Sequence, residues 1–225
     1  MVVLRDRLYR NPHEEEVSMK LYFAPGVCSL APHIVAHEAG IPLKYEKVDL
    51  KTHQTETGRD FTQINPKGYV PALEIADGEL LTEGPAIAQY LGDLKPESKL
   101  VPANGTKERY RLQEMLGYIN SEIHKTYSPL FRDTTPAEVK AERKEYLAKR
   151  YTFIENVLAK QPWLLGSAFT AADAYLFAVT RWAKGVDFDL SRFPALSAFQ
   201  ERVAARPAVQ AAMAAEGLIK AAKAA

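Results

Sequence analysis

The sequence predicts two domains of different class, an α/β domain of order βαβαββα followed by an all-helical bundle, and three observations carry that prediction. Short apolar and alternating segments broken by turn residues fill residues 19–98. The stretch KPESKLVPANGT, residues 95–106, holds two prolines, a glycine and no apolar periodicity, which marks a linker. Everything beyond it carries the three- and four-residue apolar spacing of helices. A chain of 225 residues can bury one large core or two modest ones, so pattern rather than length divides it. The expected division is an unstructured extension over 1–18, the α/β domain over 19–98, a linker over 99–106 and the helical domain over 107–225.

In order, the first domain opens with a strand at 20–23, a helix over 29–39 stopped by Gly40, and a strand through KYEKVDL, together a βαβ unit. GRDFTQI predicts a short helix, and ALEIADGELLT two short strands about Asp77-Gly78, a strong hairpin signal. Thr82 is the expected cap of a helix through PAIAQYLGDL, with Pro85 in its first turn, where a missing N–H does no harm. In the second domain Leu112, Leu116, Ile119, Ile123, Tyr127 and Leu130 form one apolar face of a long helix. TPAEVK predicts a capping box of Thr135 and Glu138 with Pro136 at the first helical position, opening a helix to about residue 160. FTAADAYLFAVTRW repeats the device with Thr170 and Asp173, and its helix is apolar nearly all round, as a core helix is. One or two more helices follow Phe193 in an alanine-rich end.

The totals exclude several classes of function. Twenty-nine basic residues against 28 acidic give a formal charge of +1, too weak a field to gather nucleic acid or anionic lipid. No apolar run approaches the roughly 20 residues that span a bilayer. A single cysteine closes no internal disulfide and excludes structural zinc held by several thiolates, which suits the cytoplasm. Residues 1–18, MVVLRDRLYRNPHEEEVS, are too charged for a secretory signal.

Three stretches carry chemistry. In LYFAPGVCSLAPH the lone Cys28 falls at a helix start, where unpaired N–H groups and the positive end of the dipole favour a thiolate. The alternative is a small buried apolar residue. In NPKGYVPAL, Pro71 cannot donate into a ladder and so belongs at a strand start; a cis Val70-Pro71 bond would bare the Val70 backbone for an extended peptide, whereas a trans proline is the commoner form. In TEGPAI, Glu83 and Gly84 offer a carboxylate for an ammonium group and a helix N-terminus for a carboxylate, the two ends of an α-amino acid. Glu83 is otherwise a first-turn acid favoured by the dipole. Farther on, Asn120, His124 and Ser128 form a polar stripe beside the apolar face, and a histidine there can exchange a proton near neutral pH. His33 and His37, four apart, could clasp a metal, but no third ligand with recognisable spacing follows, so no metal is expected.

These stretches, in order with SEIHKTYSPLF and FTAADAYLF, resemble the bacterial glutathione transferases of the beta class over essentially all of residues 19–225. The resemblance implies a thioredoxin-like first domain, a cis Pro71, Val70 pairing with the cysteinyl part of glutathione, and Glu83 and Gly84 holding its γ-glutamyl end. It places Cys28 and His124 beside the glutathione sulfur, with Ser29 as an extra hydroxyl, unless that side chain only caps the helix, and Ser121 in polar contact. Phe23 lies near the position at which other classes carry a catalytic tyrosine. Two positions depart from the pattern: His53 stands where a lysine often approaches the glycyl carboxylate, and Gly117 where an asparagine is common. Tyr127, Phe131 and Trp182 are expected to wall an apolar acceptor pocket, although aromatics at such spacing also make core.

The function implied is conjugation of the glutathione thiolate to small hydrophobic electrophiles by a cytoplasmic homodimer, in detoxification, with glutathione as co-substrate and no tightly bound cofactor. The alternatives are a glutathione-dependent thiol-disulfide oxidoreductase or reductive dehalogenase with Cys28 as nucleophile, and a carrier of apolar ligands with little turnover.

Overall fold

The structure, a computed structural model, describes residues 19–75 and 79–220. The extension expected over 1–18 and the Asp77-Gly78 turn lie outside the described residues. Strand β1 (Lys20–Phe23), helix α1 (Leu30–Glu38) and strand β2 (Lys44–Asp49) form the predicted βαβ unit, with β1 and β2 parallel in register Lys20↔Lys44. A two-residue strand that the sequence did not signal, β3 (Gln54–Thr55), then pairs antiparallel with β2. Helix α2 (Phe61–Ile64) is capped by Asp60, whose carboxylate accepts from the Thr62 N–H. Strands β4 (Ala72–Glu74) and β5 (Leu80–Thr82) are antiparallel, as expected, and α3 (Gly84–Leu94) closes the domain.

The sheet order is β3-β2-β1-β4-β5, so β1 is central and buried on both faces. Alternation along it splits the core: Leu21 joins the large cluster under α1 and α3, while Tyr22 joins a smaller one with Val48, Phe61 and Ala72. The large cluster is continuous with the helical half, where α1 packs on helices α7 and α9 described below.

The connection between domains is a packed strap. Leu100 and Val101 are buried, the Leu100 carbonyl accepts from the Ala171 N–H at 3.0 Å, and a β-carbon on Gly92 would overlap Val101. Arg109 grips Asp93 through two bonds of 2.8 and 2.7 Å and also donates to the Pro102 carbonyl.

Helix α4 (Lys107–Tyr118) runs on through a π-helical segment (Ile119–His124), α5 (Lys125–Tyr127) and a 3₁₀ turn (Ser128–Phe131) as one rod. The six apolar residues predicted to line its inner face are all buried. Helix α6 (Ala137–Leu158) follows, then α7 (Ala171–Thr180), buried at every residue, and finally α8 (Pro194–Ala204) and α9 (Pro207–Ala215). No helix among the described residues is long and apolar enough to cross a membrane.

Two expected caps are corrected. Thr82 pairs with Ala72 in the β5 ladder, so the chain turns into α3 one residue later, at Glu83, whose φ is +70°. Thr135 does not cap α6, because extended Pro136 is itself the cap residue and the helix starts at Ala137, beyond the reach of a capping threonine. The Thr170 device is present: the Asp173 carboxylate accepts from the Thr170 N–H and hydroxyl and from the Leu164 N–H, each at 2.8 Å.

Candidate functional site

The β1–α1 turn, the Tyr69–Pro71 segment, the start of α3 and the middle of the α4–α5 rod surround one cavity of about 670 Å³. Each wall follows from the local sequence. Pro25-Gly26 turns the chain out of β1, Gly26 taking φ +73°, and drops Cys28 onto the cavity floor. The Val70-Pro71 bond is cis, and β4 begins directly after it. The Val70 carbonyl accepts a hydrogen bond from the Cys28 thiol at 3.5 Å, while the Val70 N–H has no partner among the described residues.

The expectation of an ionised Cys28 is corrected. Burial pushes its thiol up to about 12, outweighing the Cys28 and Ser29 N–H groups and the Lys125 ammonium, which act to lower it. A helix N-terminus favours an anion, but withdrawal from water disfavours it more here. Ser29 is corrected too: it is fully buried, donates to the Ala24 carbonyl (3.1 Å) and accepts from the Ala24 N–H (3.2 Å), so its hydroxyl neither caps α1 nor faces the cavity.

At the opposite end Glu83 and Gly84 both line the cavity. The Glu83 carboxylate accepts from the Lys67 ammonium at 2.8 Å and from the Tyr69 hydroxyl at 3.2 Å, and Lys67 holds it below the usual carboxylate range. The α3 cap uses no side chain, which leaves the Gly84 N–H open.

From the helical half come Asn120, His124 and Ser128, the predicted polar stripe, all on the cavity wall. Buried Tyr175 of α7 joins them: its hydroxyl donates to Asn120 Oδ1 (2.9 Å) and bonds His124 Nδ1 (2.6 Å). Burial, seconded by Lys125, pushes His124 down to about 4, so its imidazole is neutral at physiological pH. Phe131 and Trp182 form an apolar wall with rings 5.7 Å apart.

Three further expected residues stand off the cavity. Tyr127 is fully buried behind Trp182, its hydroxyl bonded to that of Tyr151 at 3.0 Å, so it backs the wall rather than facing it. Ser121 is exposed and donates to the Gly117 carbonyl, and His53, at φ +54°, packs its ring over Gly68. His33 and His37 stack with Tyr45 rather than converging on a point, and His33 Nδ1 bonds Glu216 at 3.0 Å. The other Glu216 oxygen accepts from the Gly26 N–H at 2.8 Å, so the segment after α9 holds the turn that carries Cys28. Sequence reasoning missed Tyr175, Tyr69, Leu50, Lys125 and Arg132 on the wall. Only Tyr175 left a signal, a hydroxyl in the mostly apolar middle of a buried helix, where it must find a partner.

Comparison with known proteins agrees with this architecture. Residues 27–94 match the glutathione S-transferase N-terminal domain, and residues 118–207 match the C-terminal domain. Glutathione S-transferase GstA of Escherichia coli O157:H7 is 46% identical over 200 residues, which cover 89% of this chain and all of the relative. A glutathione transferase from Methylococcus capsulatus superposes with a TM-score of 0.88 at 53% identity, covering 89% of this chain and 100% of the other. A sphingomonad glutathione S-transferase complexed with glutathione does so with a TM-score of 0.86 at 44% identity, over the same 89% and 100%. The chain belongs to the glutathione S-transferase family, among its bacterial beta-class members.

Proposed function

We propose that the cavity binds glutathione and conjugates it to small hydrophobic electrophiles. The observation that carries this reading is convergence. The Cys28 thiol, the unpaired Val70 N–H, the Glu83-Gly84 helix start and His124 open onto one cavity, in a fold that holds glutathione in the sphingomonad relative. The tripeptide lies along the Val70-Pro71 edge, its γ-glutamyl ammonium on Glu83 and the paired carboxylate at the start of α3. This places its sulfur between Cys28 and His124.

The glutathione thiol passes its proton through the His124 imidazole to water in the open cavity, since an imidazole held near 4 does not keep it at neutral pH, and the thiolate is stabilised by the N–H groups at the start of α1 and by the Lys125 ammonium. The sulfur attacks the carbon bearing a halide: the C–S bond forms, the C–halide bond breaks, and halide leaves with the bonding pair. Cys28, still protonated, turns its S–H from the Val70 carbonyl to the glutathione sulfur. A protonated donor fits conjugation and disfavours Cys28 as the nucleophile of an oxidoreductase or dehalogenase. The apolar electrophile packs against Phe131 and Trp182. The reading extends to a cytoplasmic homodimer acting in detoxification, for which light scattering is expected to give twice the chain's 25.1 kDa.

The decisive experiment pairs calorimetry with glutathione and a Cys28→Ala assay on two substrates. Saturable binding, with aryl-halide conjugation surviving at about a tenth of its rate while reduction of a glutathione mixed disulfide is lost, is the expected result. Absence of binding at millimolar glutathione overturns the reading. Abolition of both activities by Cys28→Ala moves the nucleophile to Cys28.

A further inference from the structure

We propose that Asn120 and Tyr175 are positioning residues that hold His124 in its Nδ1–H form and so leave Nε2 as a bare proton acceptor open to the cavity. A tyrosine hydroxyl has a single proton. Here it is committed to Asn120 Oδ1 at 2.9 Å, so the 2.6 Å contact between the same oxygen and His124 Nδ1 needs its proton from the imidazole. A neutral imidazole carries one N–H, and with that proton on Nδ1 the other nitrogen holds a lone pair. Nε2 has no protein partner among the described residues and is not among the buried polar atoms left without one, so it is open on the side of the ring that lines the cavity.

The rest of the site fixes this arrangement mechanically. Tyr175 is almost fully buried in α7, and its hydroxyl is held by the bonds to Asn120 and His124. The His124 ring is held edge-on against Trp182 with centroids 4.9 Å apart, and the Trp182 Nε1–H is spent on the Gly26 carbonyl at 2.9 Å, leaving it unable to compete for the imidazole. Asn120 and His124, four residues apart in the π-helical segment Ile119–His124, lie on the same face of the rod, so one hydroxyl reaches both. Only the Nδ1–H form presents a base to a thiol entering the cavity; the reverse form would present an N–H, able to donate to a thiolate but unable to accept the proton that ionisation releases. The device therefore determines whether His124 serves the proton-transfer step or only stabilises its product.

The kinetic arm rests on the conjugation reading; the structural arm does not. Long-range nitrogen–proton spectra of the full chain labelled with ¹⁵N-histidine, recorded at pH 7.5 without glutathione and assigned by loss of a signal in His124→Gln, report directly which ring nitrogen bears the proton. A protonated Nδ1 and bare Nε2 are expected in the unmutated protein. Tyr175→Phe and Asn120→Leu are expected to move the proton to Nε2 wholly or in part, whereas Asn120→Asp, which keeps the acceptor, leaves it on Nδ1. In the aryl-halide assay Tyr175→Phe is expected to lower kcat about tenfold with KM for glutathione within about twofold, and Asn120→Asp to keep most of the activity, a smaller loss than the roughly 10²- to 10⁴-fold that a positioned base supplies in full. Should Tyr175→Phe not fold, Asn120→Leu carries the same comparison. A bare Nδ1 in the unmutated protein, or a proton that stays on Nδ1 in both disrupting variants, overturns the proposal. Failure of glutathione to bind, with Nδ1 still protonated, overturns the conjugation reading alone.

Discussion

The N-termini of α7 and α1 have the same backbone problem and solve it in opposite ways. At α7 the Asp173 carboxylate takes the Thr170 and Leu164 N–H groups, the Leu100 carbonyl takes the Ala171 N–H, and the helix start is buried. At α1 the one hydroxyl available, that of Ser29, bonds back onto Ala24, and the Cys28 and Ser29 N–H groups stay directed at a thiol on the floor of an open cavity. Helix α3 follows α1, with no side-chain cap and an open first N–H beside Glu83. The difference separates a helix start spent on stability from two left open to the cavity, and it is testable from both sides.

The largest effect is expected at the closed end. Asp173→Ala orphans two N–H donors in a fully buried place, and each such donor costs about 1–3 kcal/mol, so a loss of roughly 2–6 kcal/mol is expected from urea unfolding. Conjugation per folded molecule should be unchanged, since Asp173 does not reach the cavity. A comparable loss from Ser29→Ala would remove the distinction, because that hydroxyl bonds only to a local turn.

Acid separates the two regions next. Asp173 is pushed up by burial to about 6 and His124 down by burial to about 4. For Asp173 the folded state binds its proton first as pH falls, so its share of stability grows below about 6. For His124 the unfolded state binds first, near its ordinary 6.5, so its share is lost as pH falls from there toward 4. Urea midpoints between pH 7 and 4.5 should therefore decline less in His124→Gln than in the unmutated protein and more in Asp173→Asn. Parallel slopes in all three would show that neither group titrates as its burial demands.

The same contrast explains what was legible in the sequence. Periodicity and local spacing reach three or four residues, so they found the βαβ unit, the buried face of the α4–α5 rod and the Thr170–Asp173 box. Resemblance added the cis bond before Pro71 and the convergence of Cys28, Val70, Glu83 and His124. What neither could reach is set by contacts far apart in the chain: Tyr175 to Asn120 across 55 residues, and Glu216 to Gly26 across 190. The ionisation of Cys28 belongs with these, because the depth of a thiol depends on what folds over it, and a helix start alone gives only the favourable half of the balance. Thr82 failed as a cap for a related reason, since pairing with Ala72 claimed it first.

The smallest effects sharpen the comparison at two threonines that look alike in the sequence. Thr106 precedes α4 and its hydroxyl accepts from the Arg109 N–H at 3.2 Å, whereas Thr135 precedes α6 by one residue too many, with Pro136 between it and the helix. A capping threonine is worth about 1 kcal/mol and a surface threonine without such a bond less than about 0.5. Thr106→Ala should therefore lower the unfolding free energy by about 1 kcal/mol, while Thr135→Ala leaves it within error. Inserting one residue of separation abolishes a cap because the acceptor must stand directly before the first helical turn; a Thr135→Ala loss as large as that at Thr106 would mean that α6 begins a residue earlier in solution, with Pro136 at its first position.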